Sequence, residues 1–139
     1  MLNKGWINKK IMGVKTKKVT ILVVDDSDLV RLNIKFQLES FFNEINILLA
    51  DSVEKAWLLL KANKVDIALI DIYFPGENGA DLINDMLNDD DLKSIPVIVV
   101  TGTKEDSFIK ASFKDYVHAY LHKPVKKDEL WNAIQNLVE

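Results

Sequence analysis

The sequence predicts an α/β domain built on a parallel sheet with helices on both faces, and three observations predict it. Val97–Val100 is apolar at every position and Val19–Val24 at every position but Thr20, the pattern of strands covered on both sides. Between such runs lie stretches whose apolar residues recur at helical spacing. The two kinds alternate along 139 residues, a length that suits one domain with one sizeable core.

The first strand is Val19–Val24. Ser27 is placed to cap a helix running from Asp28 to about Phe42, whose Val30, Ile34, Leu38 and Phe41 share one face. Leu29, Leu32 and Phe36 are expected to widen that buried stripe. Ile45–Ala50 reads as the second strand, and Ser52 caps a helix with Val53, Ala56, Trp57 and Leu60 inward. Val65–Ile70 is the third strand, and the loop from Asp71 to Asn78 carries Pro75 and Gly76. Leu82, Ile83, Met86 and Leu87 then mark a helix, and Pro96 opens a fourth strand at Val97–Val100. A weaker helix over Lys104–Phe113 has Phe108, Ile109 and Ser112 inward, and Ala119–Leu121 is a short fifth strand. The last helix begins at Asp128 with Leu130, Ile134, Leu137 and Val138 on one face and Trp131 at its flank. Five strands alternating with five helices at this length fit a doubly wound, flavodoxin-like sheet of order 2-1-3-4-5.

Composition narrows the function. There is no cysteine, which excludes disulfide frameworks, thiolate metal sites and cysteine nucleophiles and suits a reducing cytoplasm. No apolar run approaches the length of a membrane span, and no signal-peptide pattern follows the N-terminus. The net charge of −3 is uneven: residues 1–18 carry six lysines and no acid, leaving 12 basic against 21 acidic side chains on residues 19–139. An acidic body argues against a nucleic-acid-binding face and suits cations or basic partners. Residues 1–18 are read as a flexible basic extension, although Ile7, Ile11 and Val14 at helical spacing would also suit a basic amphipathic segment on a membrane or on the acidic body.

Doubly wound sheets place their sites at the C-terminal ends of the strands, near the switch in strand order. Here strand one ends in Asp25 and Asp26, strand three in Asp71 and strand four in Thr101, while strand five is followed by His122, Lys123 and Pro124. Three clustered carboxylates repel one another unless a cation sits among them. An all-oxygen donor set with few protein ligands suits Mg²⁺, which keeps several waters and often shares its shell with a phosphate. Lys123 adds a compact positive charge and Thr101 a hydroxyl, so the rim could bind the oxygens of a phosphoryl group.

These residues resemble the receiver domain of bacterial two-component response regulators. The likeness rests on Asp25-Asp26, Asp71 with Pro75-Gly76 and Gly79 after it, Thr101-Gly102, and Tyr120-Leu-His-Lys123-Pro124, and it runs from about Val19 to the C-terminus. It implies that Asp71 is the phosphoacceptor, that Asp25, Asp26, Asp71 and the backbone carbonyl of Tyr73 hold Mg²⁺, and that Lys123 and Thr101 contact the phosphoryl oxygens. It further implies a sensor histidine kinase or histidine phosphotransfer protein as donor. The readout would be a shift of Thr101 with inward movement of Tyr120, changing the face of helix four, strand five and helix five for a protein target; Phe108, Lys126 and Trp131 are the candidates for that face. No turnover of an external substrate is expected, and homodimerisation stays open. Tyr73 and Thr103 stand where side chains can influence water access and so the phosphate lifetime.

Single features also have plainer readings. Asp25 and Asp26 could simply favour the first helix dipole, Trp131 could lean on a neighbouring helix, and Tyr120 could be a plain core aromatic. His118 and His122 read as structural or solvent-facing, and Asp89–Asp91 as a solvated loop or a helix cap. Among other functions, a haloacid-dehalogenase-like phosphatase would need a second acid two residues after its nucleophile, where this chain has Tyr73. A nucleotide-binding turn would need glycines where Asp25–Asp28 stand. A phosphorylation-independent interaction module keeps the fold and drops the chemistry. With one helix after Lys123, output is expected to pass through partners, from a single-domain regulator, a phosphorelay intermediate or a receiver excised from a longer protein.

Overall fold

The computed structural model describes residues 18–74, 76–102 and 107–138, apart from the side chains of Phe74 and residues 107–109. The apolar runs form strands β1 (Val19–Val24), β2 (Ile45–Ala50), β3 (Ile67–Asp71), β4 (Val97–Thr101) and β5 (Val117–His122). The amphipathic stretches form α1 (Asp28–Phe41), α2 (Val53–Ala62), α3 (Gly79–Leu87), α4 (Ser107–Phe113) and α5 (Lys127–Ile134), the last continuing into a 3₁₀ turn at Gln135–Leu137. A two-residue ladder pairs Tyr73–Phe74 with Glu77–Asn78 in the loop after β3.

All neighbouring strands of the main sheet are parallel, in the order β2-β1-β3-β4-β5. Alternate residues along each strand serve the two faces. Leu22, Val24, Ala68, Ile70, Val97 and Val99 pack with Ala56 and Leu60 of α2 and Leu82, Ile83 and Met86 of α3. Ile21, Val23, Ile67, Leu69, Ile98 and Val100 pack on the other face with Ile34, Leu38 and Phe41 of α1 and Leu130, Ala133 and Ile134 of α5. Burying both faces of β1, β3 and β4 fixes the register of the strands whose ends build the site, because a one-residue slip would exchange the two cores.

The caps expected at two helices are present. Ser27 Oγ accepts from Val30 N, and Ser52 Oγ accepts from Lys55 N. Strand β3 starts at Ile67 rather than Val65, which is buried just ahead of it. The expected start of α4 at Lys104, and Thr103, fall outside the described residues, as do residues 1–17 and the side chain of Phe108. Trp131 takes the plainer reading: its ring lies 5.1 Å from that of Phe41 and 6.2 Å from that of Phe42. His118 and His122 are exposed. Asp89 caps the turn after α3 by accepting from Asp91 N and Leu92 N, and it pairs with Lys61 at 2.9 Å.

One expectation for α1 fails. Leu29, Leu32 and Phe36 are not part of the buried stripe but 76%, 45% and 61% exposed. At 100° per residue they fall on the ridge opposite Ile34, and a helix lying on one face of a sheet buries only the side turned to it. Leu87 at the end of α3 is likewise exposed.

Candidate functional site

The order of the strands reverses at β1, with β2 on one side and β3 on the other, and Val24 is level with Ile70. The next residues of the two strands are Asp25 and Asp71, so the switch in strand order brings their carboxylates together. Asp25, Asp71 and Asp26 each offer an oxygen within a group spanning no more than 4.8 Å. Asp25 and Asp71 are 1% and 2% exposed, whereas Asp26 faces solvent.

Local geometry fixes each carboxylate. Asp25 Oδ1 accepts from Ser27 N at 2.9 Å, and Arg31 donates to the Asp25 carbonyl while pairing with Asp28. Asp71 Oδ1 accepts from Tyr73 N at 3.1 Å. Gly79 N donates to Ile72 O at 2.8 Å, pressing the start of α3 against the end of β3. A Cβ on Gly79 would lie 2.8 Å from Ile72 Cα and closer still to the Asp71 carbonyl oxygen, so this approach requires glycine. Gly76, at φ +73°, supplies the turn of the intervening loop.

Lys123 joins the two buried acids. Its Nζ donates to Asp71 Oδ2 at 3.0 Å and lies 2.7 Å from Asp25 Oδ2 in an ion pair. That Asp25 oxygen is buried and has no hydrogen-bond partner of good geometry among the described residues. Lys123 N donates to the Thr101 carbonyl at 2.9 Å, which ties the loop after β5 to the end of β4, and the Lys123–Pro124 peptide is cis.

Burial pushes the Asp71 carboxyl up to about 6; the hydrogen bond and charge of Lys123 oppose that shift, and Asp25 and Asp26 add to it. For Lys123, burial favours the neutral amine, but the hydrogen bonds and charges of Asp25 and Asp71 outweigh it and hold the ammonium above its usual range. The site therefore has more negative charge than its one lysine settles. With oxygen donors, one buried carboxylate oxygen lacking a hydrogen bond and one exposed carboxylate, the cluster suits a hard divalent cation better than a soft one.

The sequence of the response regulator receiver domain family matches residues 21–135. The chain belongs to that family. It is 30% identical to chemotaxis protein CheY-3 of Vibrio cholerae over 91% of this chain and 97% of that protein. The structure of a response regulator from Chloroflexus aurantiacus is 27% identical and superposes with a TM-score of 0.77, covering 88% of this chain and 98% of the other. The response regulator-like protein PRR37 of Oryza sativa subsp. indica is 26% identical over 89% of this chain, but the chain spans only 17% of that protein's length. This receiver is a signalling module of two-component systems.

Three further residues named from the sequence lie on β4, on β5 and in the loop after β3 of this receiver. Thr101 is buried at the end of β4, level with His122 of β5. Tyr73 is exposed, its backbone held by the ladder to Asn78. Tyr120 on β5 is partly buried; its hydroxyl is enclosed without a hydrogen-bond partner among the described residues, and Lys110 Nζ lies 5.3 Å from its ring centre. Sequence reading passed over Arg31, whose three-residue offset from Asp28 was the one signal available, and Glu77, whose carboxylate accepts from Val53 N at the start of α2. A surface groove of about 520 Å³ at the opposite strand ends, between Leu60–Asp66 and Ser94–Pro96, does not reach the carboxylates. No helix of the described residues is long and apolar enough to cross a membrane.

Proposed function

We propose that this receiver is a phosphorylation-controlled switch in which Asp71 accepts a phosphoryl group from a sensor histidine kinase or a histidine phosphotransfer protein, with Mg²⁺ held by Asp25, Asp26, Asp71 and the Tyr73 carbonyl. The carrying observation is the buried Asp71 carboxylate, bridged to Asp25 by Lys123 in a pocket with surplus negative charge. A Mg²⁺ bound there supplies charge that offsets the oxygens of the transferring group.

An Asp71 carboxylate oxygen attacks the phosphorus of the donor phosphohistidine, and the P–N bond breaks with its electron pair going to the imidazole nitrogen, which takes up a proton. The product is an acyl phosphate on Asp71. Such transfer asks mainly for in-line placement and neutralisation of spread negative charge. Lys123, already 3.0 Å from the acceptor carboxylate, is placed to supply that charge, and the Thr101 hydroxyl to bind a phosphoryl oxygen. Water later hydrolyses the acyl phosphate, so the covalent step stores a signal for a limited time. No external substrate is turned over.

The proposed readout runs from Thr101 at the end of β4 to Tyr120 on β5 and out to the α4–β5–α5 face, where a protein target docks. Support comes from the Tyr120 hydroxyl, which has no hydrogen bond among the described residues to hold it in its present place. A two-state element of this kind responds only as far as the phosphoryl group contacts one state better. The working unit is taken as residues 19–139, in the cytoplasm, either alone, as a phosphorelay intermediate, or within a larger protein. Relatives of both kinds occur: the chain spans 97% of chemotaxis protein CheY-3 but only 17% of PRR37.

The test is intact mass after incubation with Mg²⁺ and acetyl phosphate. One added phosphoryl group, lost with a chelator and in Asp71→Asn, is expected. A folded, cation-binding protein with no adduct even under rapid quench would leave the phosphorylation-independent module.

A further inference from the structure

Lys123 brings its charge to the site on a flexible four-carbon stem. Where the ammonium comes to rest depends on how firmly the backbone beneath it is held. On one side that backbone is tied to the sheet, since Lys123 N donates to the Thr101 carbonyl at 2.9 Å. On the other side the chain leaves through Pro124 and Val125 toward α5, whose N-cap residue, Lys126, makes no side-chain cap bond.

The second hold comes from α1. Gln37 stands one turn before Phe41, whose ring lies 5.1 Å from that of Trp131, so this side of α1 is turned to α5 and to the loop that leads into it. Gln37 Nε2 donates to the Val125 carbonyl at 2.8 Å, across 88 positions of sequence. A carbonyl can only accept, so the amide presents its nitrogen and turns Oε1 away. That oxygen is buried and has no hydrogen-bond partner among the described residues. An unpaired buried acceptor is a cost that methionine or leucine would not carry in the same space. What the glutamine adds is the bond to the loop. The Val125 side chain is buried in the same cluster as Ile34 and Leu38 of α1, so α1 holds this residue by side chain and carbonyl together.

We propose that Gln37 is a positioning residue for Lys123: by holding the Val125 carbonyl it fixes the backbone two residues beyond Lys123, and with it the ammonium that bridges Asp25 and Asp71. The inference rests on the reading of Asp71 as phosphoacceptor. Gln37 acts through the loop and not by contact with the reacting groups. The carboxylates have supports of their own, Ser27 N on Asp25 and Tyr73 N on Asp71. Loss of the Gln37 bond therefore loosens Lys123 and leaves the acids in place, a separation that a general loss of stability does not produce. A misplaced charge on the transferring group costs rate.

Two variants test this in the full chain. Gln37→Met keeps the length and removes the donor, and Gln37→Glu keeps the shape but offers only acceptors. In both, phosphorylation by acetyl phosphate at saturating Mg²⁺ is expected to slow by about tenfold. Mg²⁺ affinity measured by calorimetry should not weaken, and hydrogen exchange of the Lys123 amide should accelerate while that of Leu69 and Val99 in the sheet does not. A parental phosphorylation rate in either variant, Mg²⁺ affinity lost in step with the rate, or exchange raised evenly through the sheet would each overturn the proposal. A parent that takes up no phosphate fails the phosphoacceptor reading instead. The Lys123 amide then decides the anchoring by itself, faster exchange in the variants upholding it and unchanged exchange overturning it.

Discussion

At Asp71 a structural cost and a chemical use coincide. Its carboxyl titrates near 6 in the fold against an ordinary 3.8, because burial and two neighbouring acids outweigh Lys123. The folded state thus holds this proton more tightly than the unfolded chain does. Its contribution to stability is present below about 3.8 and is lost as pH rises through about 6. Asparagine stays neutral and escapes that loss. With chelator present, Asp71→Asn should melt above the parent near pH 8, by ~4 °C for about 1 kcal/mol, with the gap closing toward pH 4. A lower or equal melting temperature near pH 8 would show that Lys123 dominates instead. Tyr73 makes a second residue-scale prediction: exposed beside the acceptor, it should change the rate at which water reaches the phosphate. Tyr73→Asn is expected to alter the decay rate of phosphorylated protein, and identical decay would remove Tyr73 from the account.

Among the elements, the strands were the most legible and the faces of the helices less so. Val97–Val100 is apolar throughout and Val19–Val24 apart from Thr20, as a strand buried on both sides requires, and both form central strands. α1 is apolar on more than one side, so periodicity alone could not choose between the Ile34 face and the Phe36 face; the sheet chose. Gly79 marks another limit. In the sequence it is only one of the markers that follow Asp71, but its place is set by the end of β3, eight residues earlier in sequence and in contact only through the fold. Gly79→Ala should force α3 away from Asp71 and cost ~1–3 kcal/mol, as overpacking does. A urea midpoint unchanged from the parent would mean that the β3–α3 junction relaxes freely.

For the whole molecule, the strand order makes the site. Asp25 and Asp71 are 46 positions apart and become neighbours only because β1 and β3 pair across the switch in winding, while Lys123 arrives from the far side of β4. The residue types at the strand ends were readable, and so was the rim on which they would meet. The hydrogen bonds that aim them were not, since Ser27 N, Tyr73 N and the Arg31 guanidinium act through backbone geometry that no spacing encodes. The central claim is that this convergence makes Asp71 alone a phosphoacceptor. Borohydride reduction after incubation with Mg²⁺ and acetyl phosphate converts an aspartyl phosphate to homoserine, which peptide mass mapping locates. The account predicts homoserine at position 71 and nowhere else; homoserine at position 25 or 26, or label retained by Asp71→Asn, would contradict it.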